Sequence, residues 1–290
     1  MTSVCWQITF SPKEAPSETF CNFLDDFFEV NAQNYTDNDY DEYIGYQSGH
    51  FDEREMLVQA AKREIILPPY KIEKLTSENW LKDYVIKFDP FEVADFCIYG
   101  IHETTPPQTT KIPLQIYAAT AFGSNHQTTQ SCIRALCELY YDGFKPQCIL
   151  DIGTGSGILS LCAAKLWPAA KILATDIDEE AIIVTKANAK TNNLSSQIES
   201  VLSDGYKNLL IESYCPADLI LCNIFANPLI SFAPDLSCRL KSNGFCILSG
   251  FVDDQSQDVI SAHEKKGLFL IKMYSFDNWR AALMQKGLTK

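Results

Sequence analysis

The sequence predicts an α/β fold: a doubly wound, Rossmann-like parallel sheet preceded by a small α+β domain. Three observations carry this. From Ile112 onward, strand-like apolar runs alternate with helical stretches, the mark of successive βαβ units. A glycine-rich turn, Gly153-Thr154-Gly155-Ser156-Gly157, joins one of those strands to the helix after it. The first 60 residues differ in character, with an alternating strand, an aromatic helix and twelve acids against two bases.

Taken in order, residues 4–10 alternate Val4, Trp6, Ile8 and Phe10 with Cys5, Gln7 and Thr9, as a half-buried strand does. A helix is predicted over 14–30, because Phe20, Phe23, Leu24, Phe27 and Phe28 recur at i, i+3, i+4, i+7 and i+8. The acidic, Asn-rich residues 31–42 read as a loop, and 52–64 as a second helix. Pro68-Pro69 and Thr104-Thr105-Pro106-Pro107 then break the chain. The expected organisation is an acidic α+β recognition domain at 1–62, a linker and extension at 63–111, and the main domain at 112–290. In the main domain, strands are predicted at 147–151, 171–176, 198–203, 217–223, 244–249 and 268–274. Helices begin near Ile158 and Glu179 and follow the later strands.

Composition narrows the class. With 46% hydrophobic residues the chain can bury a substantial core, which excludes global disorder. No apolar run is long enough for a membrane helix, and residues 1–10 lack a basic, then apolar, leader. A soluble, cytoplasmic monomer is expected. The 11 cysteines are scattered without zinc spacing, so free thiols and no metal are expected. Of the net charge of −13, −10 falls in residues 1–60. Such a lobe repels nucleic acid and anionic membranes and attracts a basic partner, or simply keeps a small domain soluble.

The run Ile149-Leu150-Asp151-Ile152-Gly153-Thr154-Gly155-Ser156-Gly157-Ile158-Leu159 sets the chemistry. Glycines let a ligand lie against the backbone, and the helix start offers N–H groups and a positive dipole end. A dinucleotide fingerprint, G-x-G-x-x-G, would need glycine where Ile158 stands. An acid before the first glycine, Asp151, suits a ligand with a cationic amino group, such as S-adenosylmethionine, better than a pyrophosphate. Asp176 closes the next strand 19 residues after Gly157, the offset of a ribose-binding acid. Asp178 reads as a helix cap. Asp204 either meets the adenine edge or holds a turn. Asn223, ending the fourth strand, faces the ligand side or caps the next helix. His126, in the loop 121–129, is either a base or a structural hydrogen-bonder. The cofactor set is therefore Thr129, Asp151, Gly153, Gly155, Asp176, Asp204 and Asn223, with Asn223 also positioning the acceptor amine.

These residues resemble the bacterial methyltransferase family that modifies protein eleven of the large ribosomal subunit. The likeness rests on Ala121-Phe122-Gly123, His126 and Thr128-Thr129, on Asp151 through Leu159, on Asp176, and on Asn223-Ile224-Phe225-Ala226-Asn227-Pro228-Leu229. Trp80, Pro90 and Asp277-Asn278-Trp279-Arg280 match more weakly. The resemblance implies a class I S-adenosylmethionine-dependent methyltransferase sheet. It also implies an N-terminal domain that grips the target, and methyl transfer to lysine side-chain and N-terminal amines of a basic ribosomal protein. By this likeness Thr129, Gly153, Asp176 and Asn223 contact the cofactor. The first loop, Gly123-Ser124-Asn125-His126, is one residue shorter than the family's. A methyltransferase of another target, and a cofactor-binding docking protein without catalysis, remain open alternatives.

Overall fold

The computed structural model describes residues 5–13, 15–28, 30–34, 42–75, 88–117 and 127–288. The chain divides into two compact units, Met1–Tyr84 and Val85–Lys290.

In the smaller unit, β1 (Cys5–Phe10), α1 (Glu18–Phe27), β2 (Val30–Asn34), β3 (Glu42–Ser48), α2 (Glu53–Lys62) and β4 (Tyr70–Leu75) follow in turn. The sheet order is β2-β3-β1-β4, antiparallel throughout, which is the split βαβ arrangement. Alternation in β1 buries Ile8 and Phe10 against the Phe20, Phe23 and Leu24 face of α1 and Met56 and Ala60 of α2. Ser17 accepts from the Phe20 N–H and Asp52 from the Arg54 N–H, so both helices start on side-chain caps. Two expectations change here. Residues 30–34, placed mostly in a loop, form an edge strand, because pairing with β3 overrides the weak strand preference of asparagine. The stretch 63–111 is not a linker. Its β4 pairs with β1 and completes the first sheet, while its later residues belong to the larger unit.

The larger unit opens with β5 (Phe91–Val93), β6 (Phe96–Gly100) and β7 (Ile112–Ile116), a small sheet in which β6 is buried throughout. Then come α3 (Gln127–Tyr141), β8 (Cys148–Ile152), α4 (Ile158–Leu166), β9 (Lys171–Asp176), α5 (Glu179–Thr191), β10 (Ile198–Leu202), β11 (Ala217–Asn223), α6 (Ala226–Arg239), β12 (Leu240–Val252), α7 (Ser256–Glu264), β13 (Leu268–Phe276) and β14 (Trp279–Lys286). The order β10-β9-β8-β11-β12-β14-β13 is parallel from β10 to β12. β14 runs antiparallel to both of its neighbours. Period-2 alternation divides the strands between two cores. Ile149, Ile172, Leu219, Leu221, Ile247 and Leu283 face the α3 and α4 side. Leu150, Leu173, Ile220, Cys222, Leu248 and Met284 face α6 and α7. The order reverses between β8 and β11, and a ligand crevice belongs at such a switch point.

Candidate active site

A cavity of about 410 Å³ lies at the carboxyl ends of these strands, within the range of small-molecule sites. Thr129, Gly153, Gly155, Asp176, Asp204 and Asn223 all line it. Asp151 does not.

The glycine loop leaves β8 with its N–H groups already assigned. Gly153 and Thr154 donate to the Thr175 carbonyl of β9 at 2.8 and 2.9 Å, and Gly155 donates to Asp176 Oδ2 at 2.9 Å. Gly155 has φ +57, and a Cβ there would meet no protein atom within 4 Å. That open face is the cradle a ligand needs. Gly153 has φ +75, and a Cβ there would come within 2.1 Å of Ile224 Cγ2, so the loop and the segment after β11 pack together only through glycine.

Asp151 is 1% exposed and sits beneath the loop rather than in it. Its Oδ2 accepts from Thr154 Oγ1 at 2.7 Å and from Ser160 Oγ at 2.6 Å, while Oδ1 has no partner among the described residues. Burial raises its pKa to about 6, against the lowering effect of the two hydroxyls. The physical reason for its placement is alternation: Asp151 follows Ile149 on the face of β8 that packs against α4, not at the open tip.

Asp176 ends β9, and its carboxylate accepts from Gly155 N–H and, through Oδ1, from Asp178 N–H at 3.1 Å. It thereby fixes the loop while facing the cavity. Asp178 caps α5 by accepting from Glu180 N–H. Asp204 lines the cavity and also pairs with the Lys207 ammonium in its turn. Asn223 is not a helix cap. The N-cap of α6 is Phe225, and Asn223 Nδ2 instead donates to Thr129 Oγ1 at 3.2 Å. This bond joins the tip of β11 to the start of α3 and leaves Oδ1 as an acceptor for a ligand.

Sequence reasoning did not find several of the residues that build the site. Ile177, Ser203, Phe232 and Gly250 line the cavity. Asn188, fully buried on α5, accepts from Tyr117 N–H at 2.7 Å and donates to the Tyr117 and Ser156 carbonyls at 3.0 and 2.8 Å. Asn192, one turn on, bonds both backbone groups of Gln115. The pair acts as a pseudo-strand beside β7 and ties it to the glycine loop. The i, i+4 spacing of two asparagines was the available signal, but it resembles an ordinary solvated face. His126, the rest of the loop before Gln127, and Trp80 lie outside the described residues. Among the described residues no His, Cys, Asp and Glu group is arranged to hold a metal, and no helix is long and apolar enough to cross a membrane.

Comparison with known proteins agrees with this geometry. Residues 6–287 match the family model of ribosomal protein L11 methyltransferase. A Brucella abortus protein of that name is 32% identical over 95% of this chain and 97% of its own length. One from Rhodopseudomonas palustris is 32% identical over 79% of this chain and 78% of its own. The crystal structure of a ribosomal protein L11 methylase from Lactobacillus delbrueckii subsp. bulgaricus superposes with a TM-score of 0.59 at 26% identity, covering 70% of this chain and all of that one. With nearly the whole sequence matched and the glycine loop, Asp176 and Asn223 grouped in one cavity, the chain belongs to the ribosomal protein L11 methyltransferase family.

Proposed function

We propose that this protein transfers methyl groups from S-adenosylmethionine to lysine side-chain and N-terminal amines of ribosomal protein L11, in the cytoplasm. The observation that carries the reading is one cavity that joins a glycine cradle and three acids to an amide set up to orient an amine. The residues fit the cofactor. The open face at Gly155 accepts a closely lying chain, and the start of α4 favours a carboxylate there. In this reading Asp176 takes the ribose hydroxyls and Asp204, with Ser203, the adenine edge; all three line the cavity. Asp151 acts from beneath, holding Thr154 and Ser160 and so the loop's shape. Bound there, S-adenosylmethionine supplies an electrophilic methyl for in-line displacement.

The protein's part is orientation and desolvation. A lysine amine with its ordinary pKa near 10.4 is almost wholly protonated at neutral pH. Asn223 Oδ1 accepts a hydrogen bond from the amine and aims its lone pair, while Thr129 stops the amide from turning. The proton released leaves to water. The partner is basic, in keeping with twelve acids against two bases in residues 1–60. Direct binding of nucleic acid is not part of the reading.

The test is transfer of radiolabelled methyl from S-adenosylmethionine into ribosomal proteins from cells lacking this methylation, resolved by mass. Label in L11 supports the proposal. Label in another protein keeps the chemistry and removes the target, and tight cofactor binding without label leaves a docking protein.

A further inference from the structure

Strand order lays out the cavity's chemistry along one edge. From β10 through β9, β8, β11 and β12 to β14, the lining residues at the carboxyl edge are Asp204, Asp176, Gly153, Asn223, Gly250 and Trp279. Trp279 reaches that edge because β14 is antiparallel and pairs it with Val252. Neighbouring strands lie about 4.8 Å apart, so Asn223 is about 10 Å along the edge from Asp176 and a similar distance from Trp279. The three carboxylates that line the cavity, Asp176, Asp178 and Asp204, all lie at or just beyond the ends of β9 and β10.

Just after β11 the Ile224 side chain meets Gly153 of the glycine loop, while the backbone packs toward β12. Ile224 N–H donates to Ser249 O at 3.0 Å, and a Cβ on Gly250 would stand 2.2 Å from the Ile224 carbonyl oxygen. Phe225 follows immediately, lines the cavity and is 58% exposed. Its extended backbone, φ −59 and ψ 154, makes it the N-cap residue of α6. An aromatic ring is large for a cap and accepts no hydrogen bond there.

We propose that Phe225 is a specificity residue for the acceptor: its ring packs along the alkyl stem of the incoming amine and strips water from the nitrogen as it reaches Asn223. The inference rests on the function proposed above. With the cofactor over β8 to β10, the amine enters from the β11–β14 side, where the lining is apolar. Removing water there lowers the amine's pKa and raises its neutral fraction, by tenfold for each pH unit.

The experiment compares full-length wild-type protein with the Phe225→Ala and Phe225→Leu variants, with unmethylated L11 as acceptor. S-adenosylhomocysteine titration reads the cofactor side. The pH profile of kcat reads the bound amine, whereas that of kcat/KM reads the free one. Phe225→Ala is expected to keep its S-adenosylhomocysteine affinity within about twofold, to raise KM for L11, and to move the kcat profile up by about one pH unit. The kcat/KM profile stays in place, and Phe225→Leu, which retains apolar surface, recovers most of the loss. An unmoved kcat profile, a matching loss of S-adenosylhomocysteine affinity, or a leucine variant as poor as alanine overturns the inference. Wild-type protein that binds S-adenosylhomocysteine but labels no L11 removes the functional reading itself, and the inference with it.

Discussion

Replacing Asp151 by asparagine tests the reading of the buried acid quantitatively. Burial moves its carboxyl from 3.8 to about 6 in the folded protein. Between those values the folded chain holds a proton that the unfolded chain has released. The stability this contributes is fully present below about pH 4 and is lost as pH rises through 6, about 3 kcal/mol in all. Asparagine keeps an oxygen for Thr154 and Ser160 and carries no charge, so its own cost or gain is independent of pH. Unfolding by urea, without cofactor, is measured for both proteins at pH 4 and pH 7.5. All other titrating groups are common to the pair and cancel in the difference. The variant is expected to gain on the wild type by about 2–3 kcal/mol between the two pH values. A difference that stays constant within about 0.5 kcal/mol refutes the claim that the carboxylate is desolvated beneath the loop.

The remaining predictions concern the cavity and its frame. If the amide orients the acceptor, Asn223→Ala should lower kcat by about 10²-fold, well beyond any loss of S-adenosylhomocysteine affinity; full activity in a methyl-transfer assay would remove its role. Gly155→Ala should fold, since no protein atom obstructs the added methyl. It should lose about 1–2 kcal/mol from its positive φ, and titration should find cofactor binding at least tenfold weaker as the methyl fills the cradle. Asn188→Ala leaves the Tyr117 and Ser156 groups without their partner, so denaturant unfolding should show a loss of about 2–4 kcal/mol.

How much could be read in advance depended on whether local sequence or tertiary pairing decides an element. The strand, glycine loop and helix at 147–166 were legible because alternation, glycine and helical periodicity agree over one short stretch. Asp176 was legible because a βαβ unit fixes how far the next strand tip lies from the loop. β14 was not. Its Ala281-Ala282-Leu283-Met284 run favours helix, and only insertion between β12 and β13 makes it a strand buried on both faces. β5 and β6 passed for linker because the proline pair after them outweighed a five-residue strand. Asp151 was legible as part of the motif but its burial beneath the loop was not: its spacing is the same whether the carboxylate faces a ligand or supports the turn from below.

That ambiguity bears on what an acid before the glycines is for. A carboxylate lining the cavity would attract a cationic cofactor directly, but it would also hold the incoming amine in its protonated, unreactive form. Asp151 avoids this by lying buried beneath the loop, outside the cavity, where its Oδ2 accepts from Thr154 and Ser160. The acids that line the cavity, Asp176, Asp178 and Asp204, stand at or just beyond the ends of β9 and β10, two and three strands away from Asn223. Electrostatic attraction for the cofactor and the neutral state of the acceptor are opposing demands. Strand order separates the groups each demand calls for: the three carboxylates lie on one side of the switch point, and apolar walls with a single uncharged amide lie on the other. A carboxylate introduced beside Asn223, as in Phe225→Asp, should therefore raise the pH needed for kcat while leaving cofactor affinity intact. A kcat profile that does not move would show that this separation has no bearing on the rate.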